Sequence, residues 1–212
     1  MTARIPAAKL RRGAAPGSIP STLWACGPTP IEVADSWPPR VLTRALFEYS
    51  APGERVLLIP ATPDSERVVV DLDRVPASAL GGGQVADTDL IVATTLAPNT
   101  AALSPWVVAE EAASRLRAGG LLVVLARCHR DPDGTFHDPS GELVAAAQNT
   151  DLLYLQHLVA IGVHGTAIAV PRPDDSSASG EHSDTGRSGA AFTAPAHIDV
   201  LVFLQPHDLT TA

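Results

Sequence analysis

Six short runs rich in branched apolar residues, at 56–59, 67–72, 90–94, 121–126, 152–161 and 197–204, constrain this chain more than any other feature. The first four are bounded by Pro, Gly or Asp and are apolar at successive positions, so both faces of each strand must be buried. That is the pattern of a parallel sheet covered by helices. Helical spacing lies around them. After Pro38-Pro39, the residues Val41, Leu42, Ala45, Leu46 and Tyr49 share one face, and Pro52-Gly53 ends the pattern. Ser104-Pro105 supplies an N-cap and a proline at the first helical position. Trp106, Ala109, Ala113 and Leu116 then recur on one face, and Gly119-Gly120 closes the helix. Strand, helix, Gly-Gly turn and strand make a right-handed crossover. Asp138-Pro139-Ser140 opens another helix through Leu143, Val144 and Ala147. The run at 152–161 is interrupted by Tyr154, Gln156 and His157, and 197–204 returns as the last strand. The expected fold is α/β: a three-layer sandwich whose sheet is mostly parallel, with an antiparallel hairpin at its C-terminal edge.

At 212 residues, 45% of them hydrophobic, the chain suffices for one domain that buries roughly 70% of its unfolded surface. Residues 1–20 contain Arg4, Lys9, Arg11 and Arg12 and no acid, and read as a flexible basic arm. The domain is expected over 21–206, with a small, polar, disordered insertion at about 172–196 and a tail at 207–212. The formal charge is -8, and without the four cations of the arm the rest stands at -12. Such a body repels a phosphate backbone, which argues against direct nucleic-acid binding. No apolar run approaches the ~20 residues that cross a bilayer, and no signal segment opens the chain, so a cytoplasmic protein is expected. Cys26 and Cys128 are far apart and lack metal-site spacing. Two buried thiols are expected, with no disulfide and no metal.

Three stretches of sequence are distinctive in their order. Ser21-Thr22-Leu23-Trp24 through Gly27 and the helix at 39–49 lead into Ser50-Ala51-Pro52-Gly53-Glu54-Arg55-Val56-Leu57. Leu116-Arg117-Ala118-Gly119-Gly120-Leu121-Leu122-Val123-Val124 follows, and His197-Ile198-Asp199-Val200-Leu201-Val202-Phe203 comes last. Together they resemble bacterial DNA amino-methyltransferases and, more widely, class I S-adenosylmethionine-dependent methyltransferases, over most of residues 21–206. The resemblance implies a Rossmann-like methyltransferase sheet and S-adenosylmethionine as cofactor.

The departures fall on the chemical loops. After its first strand the family has an acidic residue and a Gly-rich turn, where the cofactor lies against bare backbone. Here that place reads Pro60-Ala61-Thr62-Pro63-Asp64, without glycine. After the fourth strand, amine methylation uses a polar residue, paired prolines and an aromatic that stacks on the flipped base. Here Ala93-Thr94-Thr95-Leu96-Ala97-Pro98 has neither the proline pair nor the aromatic. Only about thirty residues separate Ile59 from Leu90, so the sheet is expected to be shortened by at least one βα unit. The expectation is a degenerate, noncatalytic relative with a binding or regulatory role and no bound cofactor. The alternative is an active enzyme with an atypical site. Pro60 and Ala61 would then line the cofactor, Asp71 and Asp73 at the end of a second strand would hold its ribose, and Thr94, Thr95 and Asn99 would flank the acceptor. A third reading is a structural subunit whose protein partner supplies the missing basic surface.

Other constellations carry less. Ser, His and Asp near 127–131 and 136–140 lack a nucleophile elbow. Cys128 and His129 are adjacent and would point to opposite faces of a strand. His157, His164 and His197 have no ligand spacing. Gly81-Gly82-Gly83 does not link a strand to a helix, as a phosphate loop must. Trp24 and Trp37 are expected to pack, because aromatics make up only 4% of the chain.

Overall fold

The computed structural model describes residues 22–31, 35–77, 84–96, 104–130, 135–170 and 197–208. The expectations for 1–20 and 172–196, for Gly81-Gly82-Gly83 and for Asn99 fall outside them. In chain order the elements are β1 (Leu23–Ala25), α1 (Pro39–Tyr49), β2 (Arg55–Ile59), α2 (Pro63–Asp71), β3 (Val75–Pro76), β4 (Thr88–Thr94), α3 (Pro105–Arg115) and β5 (Leu116–Ala126). There follow β6 (His129–Arg130), β7 (Phe136–His137), α4 (Ser140–Asn149), β8 (Leu153–Ile161), β9 (Val163–His164), β10 (Ala167–Ile168) and β11 (His197–Leu204).

Seven strands form one sheet in the order β1-β8-β11-β5-β4-β2-β3, and β6/β7 and β9/β10 form two small antiparallel pairs. All neighbours are parallel except at β11, which runs antiparallel to both β5 and β8. The antiparallel hairpin expected at the C-terminal edge is β8 with β11, and β1 adds a parallel strand outside it. Side chains alternate between two cores. Val56, Leu58, Leu90, Val92, Val123 and Val200 meet α1 and α2. Leu57, Ile91, Leu122, Val124 and Phe203 meet α3 and α4. The result is the expected three-layer sandwich. No described helix is long and apolar enough to cross a membrane.

Helix α1 buries the five residues that the spacing marks. The 67–72 run, in contrast, is not a strand but lies in and just after α2. Its fate is decided at the helix start: Thr62 Oγ1 accepts from the Ser65 N–H, Ser65 Oγ accepts from the Thr62 N–H, and Pro63 occupies the first turn. That capping box fixes a helix despite three consecutive valines with strand preference. Only Val69 of the three is buried, and Val70 is exposed. The second strand is therefore the two-residue β3. Buried Arg74 joins the ends of α1 and α2, donating to the Ser50 carbonyl at 2.7 Å, the Ser50 hydroxyl at 3.0 Å and the Leu72 carbonyl.

Helix α3 also differs from its sequence pattern. It buries Val108, Ala109, Ala112 and Arg115, while Trp106 stays exposed. A charged residue shares the buried stripe because Arg115 pairs with Asp87 at 2.9 Å and Glu111 at 3.1 Å. The helix ends at Arg115, four residues before the glycine pair, and the chain passes straight into β5. The glycines instead serve a break in register where β5 passes β4 between Thr88 and Leu90. Gly119 takes φ +81°, and a Cβ on Gly120 would lie 2.9 Å from the Arg117 carbonyl oxygen.

Candidate functional site

In an open α/β sheet, ligands lie beyond the carboxyl ends of the strands where the winding reverses. From β2 this chain moves outward to β3 and then returns past β2 to β4, so the reversal lies between β2 and β4. Pro60 and Ala61 follow β2, and Thr94 and Thr95 end β4, so four of the candidate residues meet at this point. Asp71 and Asp73 do not. They precede β3 and so lie at the amino end of the parallel strands, where the Asp73 carbonyl accepts from Gly53 N–H at 2.7 Å. Placing them at the carboxyl end of a strand is corrected with the strand itself.

The chain itself bridges this crevice. The Trp37 indole N–H donates to the Pro60 carbonyl at 3.0 Å, and Thr94 Oγ1 donates to the Ser36 carbonyl at 2.8 Å. Asp35 braces the segment by accepting the Trp37 backbone N–H at 2.9 Å. Trp37 is only 6% exposed. The hydroxyl of Thr94 also accepts from Leu96 N–H, and both the N–H and hydroxyl of Thr95 donate to the Leu125 carbonyl. The side-chain donors of Trp37, Thr94 and Thr95 at this place are therefore engaged within the protein. Trp24 likewise packs, 5.8 Å from the Tyr49 ring and beneath the Arg44 guanidinium.

A groove of about 450 Å³ runs between the end of β1 and α1, lined by Cys26, Gly27, Arg40, Arg44 and Phe47 among others. Its cations are committed to structure: Arg40 donates to the Thr29 and Pro30 carbonyls, and Arg44 to the Ala25 carbonyl at 2.8 Å. Burial pushes the Cys26 thiol up, away from its reactive thiolate form.

A second constellation lies two strands away, on the α3/α4 face. Asp199 of β11 is 5% exposed. Its Oδ1 lies 2.9 Å from His157 Nε2, and its Oδ2 lies 3.7 Å from His197 Nε2 and 3.9 Å from Cys128 Sγ. His197 and Asp199 share a face by the two-residue period, β8 presents His157, and Cys128 stands two residues beyond Ala126, the partner of Asp199. Asp138, fixed by accepting the Ser140 N–H at 2.9 Å, also hydrogen-bonds the thiol. Burial, together with Asp138 and Asp199, pushes Cys128 up to about 11, so it acts as a protonated donor and no nucleophile. Cys128 is half-buried where full burial was expected. Of the three histidines considered from the sequence, two meet here, and exposed His164 belongs to the separate β9/β10 pair. Sequence reasoning missed Asp199. The signal was present: an acid inside the apolar string Ile198 to Leu204 must have partners.

No family model matches the chain, and no curated protein matches it in sequence. Solved structures do match in fold. Geranyl diphosphate C-methyltransferase from Streptomyces coelicolor A3(2) is 10% identical, with a TM-score of 0.53 over 85% of this chain and 90% of that one. The [4+2]-cyclase SpnF is 13% identical, with a TM-score of 0.52 over 86% and 88%. A chain from the complex between the Haloferax volcanii Trm112 methyltransferase activator and a methyltransferase is 11% identical, with a TM-score of 0.51 over 81% and 91%. The protein thus has the Rossmann-like fold of class I methyltransferases, a fold that by itself names no reaction.

Proposed function

We propose that this protein is a noncatalytic relative of S-adenosylmethionine-dependent methyltransferases, nearest in character to the DNA-methylating group, that keeps the scaffold for a binding or regulatory role. One observation carries this reading: the segment at 35–38 is hydrogen-bonded across the carboxyl ends of β2 and β4 through Trp37 and Thr94. S-adenosylmethionine does not fit the residues present. The turn after β2 has no glycine for close approach, its helix start is capped by Thr62 and Ser65, and Asp71 and Asp73 stand at the far end of the sheet.

The test is a thermal-shift titration with S-adenosylmethionine and S-adenosylhomocysteine. A ligand at 100 times its dissociation constant stabilises by about 2.7 kcal/mol, a shift easily read on a chain this size. No shift is expected with either. A saturable rise with one of them would overturn the reading in favour of an active enzyme.

The role then falls to a protein partner. The observation favouring one is the edge of β8: β1 pairs only with Val159–Ile161, so residues 153–157 meet no described strand on that side. Leu153, Tyr154 and Leu155 are exposed there, and an open, uncharged edge is available for strand addition. The likeness to a chain from an activator complex agrees with this reading.

A further inference from the structure

We infer that the groove between the end of β1 and α1 binds a small organic carboxylate with a flat apolar body. Strand β1 runs in the same direction as β8, β5, β4 and β2, so residues 25–27 bring the groove to the carboxyl end of the sheet, where ligands of α/β folds lie. Its volume of about 450 Å³ falls within the ~300–1,000 Å³ of small-molecule sites. Ala25, Pro39 and Phe47 give it apolar walls, and Arg40, Thr43 and Arg44 bring a few polar groups to them. That is the usual make-up of a ligand site.

Two cations meet here because Arg40 and Arg44 stand four residues apart on α1 and so share a face. Each guanidinium carries five N–H donors. Arg40 gives one from each Nη to the Thr29 and Pro30 carbonyls, and Arg44 gives one from Nη1 to Ala25. Among the described residues Arg44 Nη2 makes no hydrogen bond, and its ion-pair partner Glu48 stands 3.9 Å away. The bonds to carbonyls thus aim the two heads and leave further donors for an anion, in the forked geometry that suits a carboxylate. Gly27 leaves room for this, since a Cβ there would lie 2.7 Å from Arg40 Nη1. Both charges reach the groove wall, where they act on the Cys26 thiol. The positive end of α1 borders the same groove with no acid in its first turn. Strands β8, β11 and β5 separate the groove from the β2/β4 crevice, so its ligand is distinct from S-adenosylmethionine.

The experiment is isothermal titration of the full chain with 2-naphthoate, compared with neutral 2-naphthamide and with acetate. Saturable binding of one 2-naphthoate per chain is expected. The amide lacks the charge and acetate lacks the apolar body, so each should bind at least about tenfold more weakly. Arg40→Gln should weaken 2-naphthoate by about tenfold or more. Thr43→Trp, at an exposed position of α1, should fill the groove and weaken it at least as much, and it decides the matter if Arg40→Gln fails to fold. Trp106→Ala, on α3 at the other face of the sheet, should leave binding unchanged. Absence of saturable binding, equal affinity for the amide or for acetate, or binding undiminished by Thr43→Trp would overturn the assignment.

Discussion

Asp87 shows how a single carboxylate holds the end of the molecule opposite the crevice. Burial pushes its pKa up, but hydrogen bonds from Arg115, Thr88 and the Gln84 N–H outweigh that and bring it down to about 2. Arg55 approaches the same carboxylate at 3.3 Å. A carboxylate with a folded pKa below its unfolded value of about 3.9 adds stability above that value and loses it as the pH falls through about 2. Asp87→Asn should therefore cost about 2–3 kcal/mol at neutral pH, and the gap to wild type should shrink as the pH approaches 2. Urea melts at several pH values measure this, and a gap that persists undiminished in acid would discount the ionised pair. Buried Arg115, left without its strongest partner, accounts for much of the cost.

At the scale of elements, α2 depends on its first turn more than on its apolar residues. Thr62→Ala removes the cap and should lower the unfolding free energy by about 1 kcal/mol, seen as a lower urea midpoint at unchanged slope. An unaffected midpoint would mean the capping box is dispensable. This helix also marks where the sequence was readable and where it was not. The runs that became β2, β4, β5, β8 and β11 were legible because residues such as Leu57 and Leu58 are apolar on both faces of a strand. Val68, Val69 and Val70 misled because their strand preference was overridden by two hydroxyls several residues earlier. The stripe on α3 misled because Arg115 is buried by virtue of its partners, which an apolar pattern does not register. The positions of Pro60 after β2 and Thr94 at the end of β4 followed from the apolar runs, but the Trp37 hydrogen bond to Pro60 depends on pairing across 23 residues. The Asp199 cluster gathers residues 128, 138, 157, 197 and 199, a spacing no motif contains.

For the whole molecule, the noncatalytic reading proposed above makes surface recognition the route to function, and it is tested on the assembly. Light scattering after size exclusion, in extracts and after purification, should show the protein in a complex larger than one chain in extracts. A monomer in both would count against the partner reading. The sheet that presents the β8 edge is itself short on its other side: β3 has two residues, and the next described strand, β4, already lies back across β2. Between the strands expected as first and fourth, the described residues thus contribute only β3 to this side, whereas β5, β11 and β8 are long strands on the other.

Strand β11 sits between β5 and β8, yet every other described strand precedes it in the chain. On the ribosome, both neighbours would emerge while the slot between them is still empty. Leu122, Val124 and Leu158, each almost fully buried once β11 is in place, would wait exposed until it arrives. The most buried of the described strands is therefore also the last of them to be made, and for that interval the nascent chain presents two half-sheets with open inner edges, a state that needs protection from neighbouring chains.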